Sequence, residues 1–271
     1  FGNAALTFHL LKGLDLKTQV GIDYHNGRGQ SYTPFKPHQI IDMNANGEAS
    51  ASNSNSLYWQ EETYLTYLKD FGKHHLNAMA GASWQARKYT YFSAYDSKFM
   101  DDYYGFYNLG SGTEKPSVGS DYDKWAMNSY FLRLAYNWNN TYMATVTGRY
   151  DGSSKFGENN KYAFFPSVGL GWLASNEKFL ENNKTISKLK LHTSFGMTGN
   201  SEIGTYRSIA TMSQSTTILN GSMVTVSYLD KMPNANLKWE KTAQFDLGFE
   251  LGLFQNRLNF DVSWYYKYTS D

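Results

Sequence analysis

Cysteine is absent from the 271 residues, which excludes a disulfide framework and thiolate-ligated metal centres and leaves the compartment open. No run of about eighteen apolar residues occurs, so no membrane-spanning helix is encoded. Net charge is nearly absent too: 25 basic residues against 24 acidic ones leave +1, so long-range steering of nucleic acid is not expected. Catalytic signatures are missing as well. No G-x-S-x-G element presents a nucleophile. His9, His25, His38, His74, His75 and His192 include no i, i+4 pair around an acid, the spacing a helical metal site uses. Asp101-Asp102 and Asp121-Tyr122-Asp123 carry carboxylates without the spacing of an EF-hand loop. Gly169-Leu170-Gly171-Trp172-Leu173-Ala174 matches G-x-G-x-x-A, a pattern that holds a dinucleotide only at a strand-to-helix turn. Here the glycines fall on the polar parity of a strand, where they leave room or let it bend. No metal, cofactor or enzymatic activity is expected.

What is abundant is aromatic surface and alternation. Aromatics make up 17% of the chain, yet the mean hydropathy is −0.56. A β-barrel reconciles the two, because only every second residue of a strand meets lipid, and its interfaces carry aromatic girdles. Between Lys238 and Phe254, Trp239, Ala243, Phe245, Leu247, Phe249, Leu251 and Leu253 share one parity, interrupted by Lys241. Lys238, Glu240, Thr242, Gln244, Asp246, Gly248, Glu250 and Gly252 share the other. Alternation of this kind marks a strand with one apolar face. Strands of ordinary domains average about five or six residues, whereas a transmembrane strand needs about nine to eleven. Arg257 to Tyr268 repeats the pattern after a short link, completing a long hairpin. The expected fold is all-β, an antiparallel transmembrane β-barrel.

Eight further strands are expected: Ala4 to Leu11, Leu14 to Tyr24, Leu57 to Asp70, Leu76 to Tyr91, Trp125 to Trp138, Tyr142 to Tyr150, Phe164 to Ala174 and Lys188 to Thr198. Short links at Lys12-Gly13, Phe71 to His74, Asn139-Asn140 and Phe254 to Asn256 alternate with long ones. The long ones run over His25 to Ser56, Phe92 to Lys124, Gly152 to Lys161 and Gly199 to Leu237, with the Asn/Ser run Ala49 to Ser56 read as a loop tip. Ser175 to Ser187 is the exception on the short side, with room for one or two helical turns. Bacterial barrels keep short turns in the periplasm and long loops outside the cell. The opening on Phe1 without Met, and the stop at Asp271 directly after a strand, lead us to expect a fragment.

From Ala126 onward, five segments stand in an order that resembles the SusC family, the TonB-dependent outer-membrane transporters of Bacteroidota. They are RYDGSSKFG (149–157), FPSVGLGW (165–172), LKLHTSFGMTGN (189–200), NANLKWE (234–240) and the final WYYKYTSD (264–271). Two positions depart from the family pattern: Ala235 stands where Pro is usual, and His192 where Arg is frequent. The resemblance implies about ten strands of a 22-stranded barrel spanning residues 1–271, with the plug domain and closing strands outside it. It also implies import of a nutrient such as an oligosaccharide or peptide. The implied partners are a SusD-like surface lipoprotein, TonB acting through the missing N-terminal part, and outer-membrane lipid. The alternative is a structural or assembly subunit of a larger outer-membrane complex.

The residues most suited to ligand or partner contact are Asp101, Asp102, Tyr103, Tyr104, Phe106 and Tyr107, inside one long loop. Aromatic faces stack on the apolar faces of sugars, and adjacent carboxylates accept hydroxyl hydrogen bonds. The bland alternative is that the rings pack the loop itself, since a long loop needs some core of its own.

Overall fold

The computed structural model describes residues 1–34, 47–181 and 183–270. His38 and the middle of the His25 to Ser56 connection therefore lie outside the described residues. Ten strands form one sheet in chain order: β1 (Gly2–Leu11), β2 (Leu14–Thr33), β3 (Glu48–Phe71), β4 (His74–Ser97), β5 (Ser117–Trp138), β6 (Tyr142–Ser153), β7 (Tyr162–Leu173), β8 (Ile186–Asn200), β11 (Glu240–Leu253) and β12 (Leu258–Ser270). The other two, β9 (Thr211–Leu219) and β10 (Ser222–Lys231), make a separate antiparallel hairpin. The large sheet begins at β1 and ends at β12 without closing on itself.

Contacts divide the chain into two compact units. The first contains Phe1–Asn3, Gly21–Gln60 and Ala86–Trp125; the second contains Ala4–Val20, Glu61–Gln85 and Ala126–Asp271.

In the second unit, register turns the alternating sequence into two continuous faces. Leu134, Val146, Val168, Phe195, Phe245 and Tyr266 are paired neighbours across β5, β6, β7, β8, β11 and β12. So are Trp138, Tyr142, Trp172, Leu191, Phe249 and Val262. The intervening residues form the opposite rows, including Ala135, Thr145, Gly169, Ser194, Asp246 and Tyr265. A one-residue slip would exchange the two faces on every strand, so the apolar set pins the register. Charged groups of the polar face find partners within it: Glu250 accepts from Lys188 at 2.5 Å and Lys190 at 2.6 Å, and Asp246 accepts from Gln244 at 2.7 Å and Ser194 at 3.2 Å. Leu247 and Phe249 thus lie on the apolar face, and Asp246 and Glu250 on the polar one.

The ten strands of the sheet are the ten expected, but four reach further than the alternation does. Thr33 ends β2, Glu48 opens β3, Ser97 ends β4 and Ser117 opens β5. The Ala49 to Ser56 run is strand rather than loop tip, and the β4–β5 connection shrinks to residues 98–116. Beyond a membrane both sides of a strand meet water, so nothing enforces alternation there. The Gly199 to Leu237 connection is not structureless: Asn220 and Gly221, with φ of 51° and 78°, turn β9 into β10. Positive φ at both central residues is the type I′ geometry that Asn-Gly favours. On the short side, residues 174–185 hold a 3-10 turn (Ala174–Asn176) followed by a turn closed by Leu180 N–H on the Glu177 carbonyl, 2.9 Å.

Trp239 departs from its parity. Instead of joining the apolar face it is 4% exposed, wedged between Phe156 (centroids 4.5 Å apart) and Phe165 (5.5 Å, edge-on), and its indole N–H donates to the Lys161 carbonyl at 3.0 Å. Ala163 completes this buried cluster, with Met127, Ile203 and Leu237 packed around it. The Gly157 N–H donates to the Leu237 carbonyl at 2.9 Å, and a Cβ on Gly157 would stand 2.2 Å from the Ala235 carbonyl oxygen. Two of the quoted segments, 149–157 and 234–240, therefore close on each other as a clasp.

Candidate functional site

The loop between β4 and β5 is built on a tied base. Lys98 adopts a left-handed φ of 60°, and its carbonyl accepts from the Thr113 backbone N–H at 3.3 Å and hydroxyl at 3.1 Å. Its ammonium pairs with Glu114, and its N–H donates to the Gly47 carbonyl at 3.0 Å. Phe99 bridges to Gly112 and is buried, meeting the Tyr32 ring edge-on at 5.9 Å. Asp96, also buried, lies beneath Gly112, where a Cβ would fall 2.5 Å from its carboxyl carbon.

On this base the six expected residues take different positions. Tyr32, near the end of β2 and well past a membrane-spanning length, donates its hydroxyl to the Asp102 carboxylate. Desolvation, then the hydrogen bond and charge of Asp102 and the charge of Asp101, push the Tyr32 hydroxyl up to about 12. Asp101 accepts from the Tyr103 N–H at 3.0 Å. Gly105 to Tyr107 form a 3-10 turn over the Tyr32 ring, with Phe106 half-buried and 4.5 Å from Tyr107. Tyr103 and Tyr107 stay 85% and 80% exposed, and Tyr104, edge-on to Tyr103 at 4.9 Å, stays more than half exposed. The loop therefore holds Tyr103, Tyr104 and Tyr107 outward, with Phe106 half-buried, while Asp102 ties it to Tyr32. Sequence reasoning did not reach the supports, Tyr32 and Phe99. Nothing local marks them, since their partners lie far along the chain.

His192 lies on the polar face opposite Gly171 and Gly248, and a Cβ on Gly248 would stand 2.5 Å from its Nε2. Gly248 thus makes space for the imidazole, whereas a Cβ on Gly169 or Gly171, the glycines of the G-x-G-x-x-A segment, would meet only ordinary contacts at 3.8 and 3.5 Å. His74 stacks on Phe71 at 5.0 Å and reaches the Tyr136 hydroxyl at 2.5 Å; His75 pairs with Asp70 at 2.6 Å. Both are engaged at the β3–β4 turn.

A long-stranded antiparallel sheet with one apolar and one polar, ion-paired face is the wall of a transmembrane β-barrel. Residues 2–271 match the family model described as TonB dependent receptor-like, beta-barrel, and the chain belongs to that family, whose proteins reside in the outer membrane. It is 34% identical to TonB-dependent receptor P3 of Formosa agariphila, over 99% of this chain and 27% of that protein. It is 28% identical to TonB-dependent receptor SusC of Bacteroides thetaiotaomicron, over 97% of this chain and 26% of that protein. The solved structure of the RagAB peptide transporter superposes with a TM-score of 0.89 at 29% identity, covering 98% of this chain and 29% of the matched one. The chain thus spans about a quarter of the length of the curated relatives.

Proposed function

We propose that this chain is part of the barrel of an outer-membrane importer of the SusC type. The importer takes up an oligosaccharide or peptide with energy from TonB and with a SusD-like lipoprotein at its outer face. The end-to-end match to SusC and to the RagAB peptide transporter carries this reading. The loop of residues 98–116 borders the cargo chamber or the lipoprotein, with Tyr103, Tyr104 and Tyr107 as contact area. Replacing Tyr103, Tyr104, Phe106 and Tyr107 together by Ala tests the site. Weakened uptake with the lipoprotein still co-purifying assigns the rings to cargo, and release of the lipoprotein in detergent pull-down assigns them to that partner. A fall in folding yield alone removes any functional role.

One observation favours a role in a larger assembly as a second reading. Residues 211–229, most of the β9–β10 hairpin, contain no charged residue, and Ile218, Leu219 and Met223 stand exposed beside its turn. An isolated two-stranded hairpin is marginal in water, so such a surface suits a protein partner. Deleting residues 211–231 should leave uptake intact and shift the complex to lower mass on native gels if assembly is its role.

A further inference from the structure

We propose that the apolar face carries a slot along β6 for one acyl chain of an inner-leaflet phospholipid bearing an amine headgroup. The slot arises from small residues in otherwise bulky rows. In the row Tyr136, Ala144, Leu170, Thr193, Leu247 and Trp264, two members are small. The Thr193 hydroxyl is committed to the Asp246 carbonyl at 2.9 Å, so that side chain adds no unpaired polar group. The result is a depression of about 450 Å³ around Ala144, Leu170 and Trp172. A second, of about 300 Å³, follows at Val146 and Gly148. Both lie within the paired run β5 to β8 and β11, so neither is made by a sheet edge.

Length and chemistry identify the occupant. Tyr142 to Gly148 is six residue steps, about 20 Å along a strand. At a tilt of about 45° that is about 14 Å of depth, close to half of the roughly 30 Å hydrocarbon core and so to one leaflet. The end at Tyr142 adjoins the β5–β6 turn and bears the stacked pair Trp138 and Tyr142, 5.4 Å apart. Short turns face the periplasm, so the leaflet is the inner one. Lipid tails are as apolar as Leu, so filling the slot brings packing but no hydrophobic gain over bulk lipid. Selection must come from the headgroup. At the mouth stands Glu177, whose carboxylate accepts from the Tyr142 hydroxyl at 2.5 Å and the Trp172 indole at 3.4 Å. An anion held there complements an ammonium group.

The protein extracted from its membrane, delipidated and incubated with phosphatidylethanolamine or phosphatidylcholine of equal chain length, provides the test by native mass spectrometry. We expect the ethanolamine lipid, whose ammonium can donate to the carboxylate where choline cannot, to be retained in about tenfold excess, the lower end for one charge-assisted hydrogen bond. Glu177→Gln should erase that preference, and Ala144→Trp should lose the retained lipid while heat-modifiable mobility stays normal. Val262→Trp, on the same face but outside the slot, should change nothing. Should Ala144→Trp not fold, Thr193→Leu closes the same slot. Equal retention of both lipids by the native protein, or retention unchanged in a folded slot-filling variant, overturns the proposal.

Discussion

Two aromatic clusters, in the sheet and its connections, put their rings to opposite ends. In the clasp, Phe156, Phe165 and Trp239 bury themselves against one another and join segments some eighty residues apart. In the β4–β5 loop, Phe99 is buried in the support and Phe106 half-buried, while Tyr103, Tyr104 and Tyr107 are held outward. Within the two clusters the phenylalanines and the tryptophan are the more buried rings and Tyr103, Tyr104 and Tyr107 the displayed ones, with Tyr32 of β2 a support by way of its hydroxyl. Burial marks the first cluster as a stability element, and the exposed second cluster is the one proposed above for contact. Exposure also differs by place: Leu247, 53% exposed, stands on the apolar face of a membrane wall, whereas Tyr103, 85% exposed, stands on a loop between strands.

Four measurements press on this contrast. Trp239→Ala should cost about 3–5 kcal/mol, the range for deleting a buried aromatic, read as a lower urea midpoint of the barrel in lipid. A loss no larger than that of a surface substitution would dissolve the clasp as a stability element. Leu247→Arg should cost about 2–4 kcal/mol if it lies near the midplane, and Asp246→Ala clearly less. Equal, small costs at both would contradict the two-faced wall. Tyr103→Ala with Tyr107→Ala should leave stability within about 0.5 kcal/mol while lowering uptake or lipoprotein retention. A destabilisation matching Trp239→Ala would erase the distinction between the clusters. The smallest effect is at Tyr32. Its folded-state pKa is raised to about 12, so the stability it contributes is full below about 10 and is lost as pH rises through the range up to 12. Tyrosinate absorbance should show one late-titrating group fewer in Tyr32→Phe, and an unchanged titration would remove Tyr32 from the loop's support.

The sequence was most legible where the membrane imposes a rule. From Trp125 onward, lipid on one side forces alternation, and the strands at Tyr142, Lys188 and Leu258 fall within a few residues of expectation. Where strands run on past that requirement, as at Ala49 to Ser56, polar residues on both faces made strand look like loop. The β9–β10 hairpin was passed over although Asn220-Gly221 carries the strongest short-range turn signal, because alternation is confined to the five residues Val224 to Tyr228 and β9 does not match it. Trp239 kept the parity of its strand and still turned away from lipid. Only its partners at Phe156 and Phe165 decide that, and no local pattern contains them.

The clasp also bears on inheritance. Gly157 lies so close to the Ala235 carbonyl that one added methyl group has no space, and a ring from position 156 rests on one from position 239. The two segments are therefore a single unit for recombination. An exchange between relatives with one breakpoint inside residues 158–233 would join half of one clasp to half of another. Exchanges outside that interval would carry the fitted pair intact, so the β9–β10 hairpin, enclosed by it, can be swapped only by two breakpoints that leave both segments with their original mates.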